Sequence, residues 1–228
     1  MARPVYILGD VHGKFDELMR IVKDNDIKDC YIICVGDLGI GFHDNRLKEI
    51  RAVNFYNQFF KARNIYFMSI RGNHDDPSYF FNKRGKMEHS NFELLDDYTT
   101  RTLNGEKYLF VGGAISIDRR IRVFGKSYWE DETFNLVPEK IVDCDVLITH
   151  SVPSWNGNFS KSGINSWCEK DATLWDECLK EREGHDELIM LSKPTKHYAG
   201  HMHISLSTTL NGCTSRIVDE LEIITHHQ

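Results

Sequence analysis

Residues 5–22 read Val-Tyr-Ile-Leu-Gly-Asp-Val-His-Gly-Lys-Phe-Asp-Glu-Leu-Met-Arg-Ile-Val, and this stretch decides the architecture. Val5 to Leu8 is a β-rich apolar run that stops at Gly9-Asp10. Phe15, Leu18, Met19 and Val22 then recur at the i, i+3, i+4, i+7 spacing of one helix face. The same order returns at Tyr31 to Val35, which stops at Gly36-Asp37 before a helical stretch from about Asn45 to Arg63. It begins again at Ile65 to Ile70, which stops at Gly72-Asn73-His74-Asp75. Strands alternating with helices imply β-α-β crossovers and a sheet covered on both faces.

Beyond Phe92 the texture changes to shorter strand candidates, at Thr99 to Leu103, Tyr108 to Val111 and Val146 to Thr149. Asn104-Gly105 between the first two is a hairpin signal. A helix is expected from about Lys170 to Glu183, followed by strands at Ile204 to Leu210 and Arg216 to Val218. The expectation is one α/β domain over residues 1–228, with a second sheet packed on the first and residues 155–186 as a candidate lid.

With 41% hydrophobic and 27% charged residues the chain has the make-up of a globular protein. The formal charge of −6 argues against binding nucleic acid through bulk charge, which needs a basic face. No apolar run approaches the roughly 18 residues of a membrane helix, and no secretory leader is recognisable, so a cytoplasmic protein is expected. The six cysteines show no C-x-x-C spacing and read as reduced core residues.

Chemistry concentrates in five polar clusters, each directly after a strand candidate: Asp10-Val11-His12, Asp37, Asn73-His74-Asp75, His150 and His201-Met202-His203. In α/β sheets the ligand crevice lies at the carboxyl ends of the strands, so clusters far apart in sequence can converge. Carboxylate, imidazole and amide oxygen without thiolate suit divalent manganese, iron, zinc or nickel. Seven candidate ligands are too many for one tetrahedral ion and fit two, with a carboxylate such as Asp37 able to bridge them. His43, His89, His185, His197, His226 and His227 fall outside the clusters and read as background.

Together, Gly9-Asp10-Val11-His12-Gly13, Gly36-Asp37, Gly72-Asn73-His74-Asp75, His150 and Gly200-His201-Met202-His203 resemble the calcineurin-like metallophosphoesterase superfamily, in that superfamily's order. The resemblance implies a four-layer α/β/β/α sandwich with two mixed sheets and a dinuclear metal site at the strand ends. It also implies that Asp10, His12, Asp37 and His203 hold one ion, and Asp37, Asn73, His150 and His201 the other. Manganese is expected first, with iron, zinc, nickel or magnesium as alternatives.

The expected activity is hydrolysis of a small or medium phosphate ester by in-line attack of a metal-bridging hydroxide. A phosphate ester repels hydroxide, so two cations both generate the nucleophile and neutralise the phosphoryl oxygens. His74 is expected as general acid, with Asp75 holding its tautomer. A phosphomonoesterase is favoured over a diesterase acting on cyclic nucleotides or nucleic-acid ends, and over a non-catalytic scaffold. Protein Ser/Thr phosphatases resemble the chain through Arg71-Gly72-Asn73-His74 but carry an Arg-bearing VDRG-like stretch where this chain reads Leu38-Gly39-Ile40-Gly41. Arg119 and Arg120 are the candidate substitutes for that missing arginine, with Arg122, Lys83 and Arg84 as further ones.

Overall fold

The computed structural model describes residues 2–42, 45–81, 89–157 and 159–226. The first half builds strands β1 (Val5–Leu8), β2 (Tyr31–Cys34), β3 (Tyr66–Ser69) and β4 (Phe92–Leu94), with helices α1 (Phe15–Asp24) and α2 (Arg46–Ala62) between them. The four strands run parallel, and the late strand β11 (Ile223–Thr225) adds antiparallel to β1, giving the order β11-β1-β2-β3-β4. The second sheet has the order β5-β6-β7-β8-β10-β9. It is built from β5 (Thr99–Leu103), β6 (Glu106–Val111), β7 (Val146–Thr149), β8 (Lys196–Ala199), β9 (Leu206–Leu210) and β10 (Cys213–Ile217). Its inner strands are parallel and its two outer ones antiparallel.

Alternation along each strand assigns the layers, because successive side chains point to opposite faces. Leu8, Ile32, Cys34 and Phe67 pack with Phe15, Leu18 and Val22 of α1 and Val53 and Phe60 of α2. Ile7, Ile33 and Met68 face the other way and meet Tyr108, Phe110, Val146, Ile148 and Tyr198 of the second sheet. Leu109, Val111 and Leu147 cover that sheet's outer face with Leu188 of α4 (Leu174–Ser192). The result is the four-layer α/β/β/α sandwich with two mixed sheets.

Local signals account for the element ends. The Asn45 side chain accepts from the backbone N–H groups of Leu47 and Lys48 and starts α2. Asn104 and Gly105 both take positive φ, 52° and 91°, and close the β5–β6 hairpin with Leu103 opposite Glu106. The helix expected from Lys170 instead begins at Leu174 and runs on to Ser192, because Leu174, Cys178, His185 and Leu188 continue one buried face. The later part of the 155–186 stretch is therefore in a layer helix, and the earlier part carries a 3-10 turn at Lys161–Ile164 and the short helix α3 (Asn165–Cys168). Among the described residues no helix is long and apolar enough to cross a membrane.

Arg71 joins the two sheets. Its side chain is almost fully buried, pairs with Asp97 at 2.8 Å and donates to the carbonyls of Asp131, Glu132 and Thr133. Every donor direction of the guanidinium that matters is thereby engaged inside the protein. The aromatic stack on the helical side is the most exacting packing: Phe67 lies 4.6 Å from Phe60 and 5.0 Å from Phe92, ring centroid to ring centroid. Phe67→Ala is expected to lower unfolding free energy by roughly 3–5 kcal/mol in urea titration, since the two remaining rings cannot close over the void.

Candidate active site

The parallel strands β1, β2, β3, β7 and β8 all end at the same edge of the sandwich, and every polar cluster follows one of these ends. The turns that carry them are strained. His12, Asp37, His201 and His203 have φ of 49°, 49°, 65° and 46°, the left-handed region that side chains with a Cβ rarely adopt. Such conformations persist where surrounding structure over-determines them, and they concentrate at functional sites. Two glycines make the crowding feasible: a Cβ on Gly72 would strike the Asp37 carboxylate, and one on Gly200 the Asp10 carboxylate.

The donors fall into overlapping groups. Asp10, His12 and His203 bring ligand atoms within 4.8 Å of one another, as do Asp37, His150 and His201. The His12 and His203 Nε2 atoms face each other at 3.0 Å, and the His203 Nε2 lies 3.1 Å from an Asp10 oxygen. Asp37 reaches both sides: one oxygen is 3.2 Å from the His150 Nε2, the other 3.8 Å from the His12 Nε2. The Asn73 amide oxygen is 3.1 Å from the His150 Nε2. All seven sequence-derived ligand candidates are thus gathered, with Asp37 between the two sets.

The surroundings orient these atoms for a cation. The His150 Nδ1–H donates to the Val35 carbonyl at 2.8 Å, which directs Nε2 at Asp37 and Asn73. The Asn73 amide nitrogen donates to the Ser116 hydroxyl at 3.1 Å, and that hydroxyl donates to the buried Glu132 carboxylate. Glu132 and Ser116 hence turn the amide oxygen inward; neither lies in a motif, and the sequence carried no signal for them. An oxygen- and imidazole-rich, thiolate-free set arranged in this way fits divalent ions.

Electrostatics points the same way. Burial pushes the Asp10 carboxyl up. It also pushes Asp37 up, but the imidazoles of His150, His74 and His12 outweigh it and hold that carboxyl well below its ordinary value. Burial lowers His150, yet Asp37, Asp10 and the Val35 carbonyl overcome it and lift the imidazole to about 10. The buried carboxylates thus favour positive charge between them.

Two expectations are corrected. Asp75 does not hold the His74 ring; its buried carboxylate accepts from the backbone N–H groups of Leu38, Gly39, Ile40 and Gly72, at 2.8–3.2 Å. The turn after β2 has no ladder partner for those donors, so Asp75 supplies one. Burial and the nearby Asp37 charge raise this carboxyl to about 7. Arg119 and Arg120 both bind Asp171, at 2.6 and 3.0 Å, and Arg119 also binds Glu177 at 2.5 Å. They pin the 112–122 loop to the segment before and at the start of α4.

Among the described residues, Arg122 is the arginine that faces the site. Its guanidinium is 2.5 Å from the His74 Nε2, donates to the Asn73 carbonyl at 3.1 Å and is paired with Asp118 at 2.6 Å. Arginine has only donors, so the His74 Nε2 accepts and the neutral ring carries its proton on Nδ1. Burial lowers His74 to about 4. Arg122, His74, Asp37, Asn73, His201 and His203 line one cleft of about 420 Å³. Lys83 and Arg84, the remaining sequence candidates, lie outside the described residues, as do His43 and His227. His197 and His226 are buried and hydrogen-bonded, in keeping with a structural part.

Two outcomes follow from this geometry. Ser116→Ala should weaken divalent-metal binding by about 10–100-fold in calorimetry, because the Asn73 amide is no longer turned. Metal affinity should climb as pH rises through the neutral range, with proton release measurable in buffers of different ionisation enthalpy: His150, lifted to about 10, must give up its proton to bind.

The model of a family described as calcineurin-like phosphoesterase matches residues 3–205. A search of curated proteins finds no significant match. Among solved structures, the phosphopantetheinyl hydrolase of Mycobacterium tuberculosis is similar over 96% of this chain and 90% of its own, at 13% identity and a TM-score of 0.43. A putative 5′-nucleotidase from Staphylococcus aureus is similar over 98% of this chain, which spans 50% of that one, at 11% identity and a TM-score of 0.47. A predicted phosphoesterase from Streptococcus pneumoniae is similar over 96% of this chain and 74% of its own, at 10% identity and a TM-score of 0.40. The family match spans most of the 228 residues, and the chain belongs to the calcineurin-like phosphoesterases, enzymes that hydrolyse phosphate esters.

Proposed function

We propose that the protein is a phosphomonoesterase that works with two divalent ions, manganese foremost, on small or medium phosphate esters. The observation that carries the reading is the position of Asp37 between two groups of donors, with His74 and Arg122 facing the same cleft. Two ions held by Asp10, His12, Asp37 and His203 and by Asp37, Asn73, His150 and His201 would supply a hydroxide nucleophile near neutral pH and neutralise phosphoryl oxygens.

The chain's own residues do the rest. Arg122 is set to pair with a phosphoryl oxygen, its fork kept in place by Asp118 and the Asn73 carbonyl. Moving that guanidinium onto substrate releases the His74 Nε2, which can then take up a proton from water in the open cleft and pass that proton to the departing alkoxide. Backbone geometry holds the ring close by: the His74 N–H donates to Asp37 at 2.7 Å. Arg122 thus takes the substrate role expected of Arg119 and Arg120.

With manganese added, p-nitrophenyl phosphate should be turned over faster than its bis-ester; the reverse order would identify a diesterase, and no turnover of either by metal-loaded protein would refute the reading. His74→Ala and Arg122→Ala should each lower kcat by a factor of order 10² while metal content holds.

A further inference from the structure

One flank of the cleft is largely apolar, with the Ser160 hydroxyl among carbon-rich neighbours. Ile117, Phe159, Ile164, Trp167 and Met202 line it beside the donor floor, and all but Ile164 are only half-buried. We infer that the ester group of the substrate is an aromatic ring that lies along this wall, so that the enzyme acts on aryl-bearing phosphate esters in preference to alkyl or polyol ones. This rests on the proposed phosphoesterase reading and gives it a substrate class.

The wall is a built surface. Ile164 packs with Ile115, Leu174 and Cys178 in a small core of its own, to which Ile117, Phe159 and Trp167 add. Phe159 stacks on Trp175 at 5.2 Å and 5° between planes, and the Arg182 guanidinium stands 5.1 Å from the Phe159 ring centre. The Lys170 ammonium stands 5.4 Å from the centre of Trp167. The ion pairs of Arg119 and Arg120 with Asp171 anchor the same segment to the 112–122 loop. These contacts hold the apolar surface against the cleft.

Wall and floor belong to one cavity of about 420 Å³, so a phosphate on the floor carries its ester group along the wall. A planar ring matches aromatic neighbours by stacking or edge contact, and the Met202 thioether adds a soft partner. A sugar or other polyol would lay most of its hydroxyls against carbon, with Ser160 and Asp118 the polar neighbours available outside the donor floor and Arg122.

The test compares 2-phenylethyl phosphate with ethyl phosphate, whose alcohols are similarly poor leaving groups, on manganese-loaded protein. Binding of 2-phenylethylphosphonate and ethylphosphonate is measured by calorimetry alongside. The ring-bearing ester should show kcat/KM higher by about tenfold or more, and the ring-bearing phosphonate a Kd lower by a similar factor. Trp167→Ala should bring both ratios close to one with metal content retained, and Trp167→Phe should keep most of the preference. Equal kcat/KM and equal Kd in the unaltered protein would overturn the inference, as would ratios that Trp167→Ala leaves in place. A phosphonate preference without turnover of either ester would support the ring site and refute hydrolysis.

Discussion

Everything at the working end of this molecule depends on burying carboxylates side by side. Asp10, Asp37 and Asp75 are all but inaccessible at the ends of parallel strands. Ionised carboxylates removed from water cost several kcal/mol each unless matched by positive charge and hydrogen bonds. Asp75 is met by four backbone N–H groups, and Asp10 and Asp37 by imidazoles. The left-handed turns at His12, Asp37, His201 and His203 add strain of order 1–3 kcal/mol apiece. Four packed layers and the Arg71 clamp hold those turns where isolated loops would relax. A site that stores unbalanced negative charge in this way is built to receive cations.

Much of this was legible in the chain because the signals are local. Val5 to Leu8, with Phe15, Leu18, Met19 and Val22 behind it, carries its strand and helix periods in adjacent residues, and Asn104-Gly105 names its own turn. The polar clusters could be placed because each follows such a strand. The shorter elements were not legible. Phe92–Leu94 and Ile223–Thr225 have three residues each, too few to show a period, and Lys196–Ala199 carries mixed polarity. They become strands by pairing with partners distant in sequence.

The supporting residues of the site were hidden for the same reason. Asp75 looked like the natural orienter of the adjacent His74, yet its carboxylate is claimed by the unpaired N–H groups after β2. Arg119, Arg120 and Arg122 are nearly identical in sequence context and differ wholly in space. Asp171 and Glu177 hold the first two away from the cleft, whereas Asp118 steers the third onto His74. Ser116 and Glu132 act on a ligand through its amide nitrogen, an arrangement that leaves no trace in spacing. The candidate ligands were readable because they follow strand ends; which carboxylate each arginine meets is a property of tertiary packing.

In the proposed centre, Asp37 joins two cation sites into one. Electron paramagnetic resonance of the protein loaded with two equivalents of manganese addresses it directly, since ions bridged by one carboxylate share their magnetism. An exchange-coupled dimanganese spectrum, lost in Asp37→Asn, is the expected result. Two equivalents of bound manganese giving only the signal of isolated ions would contradict it.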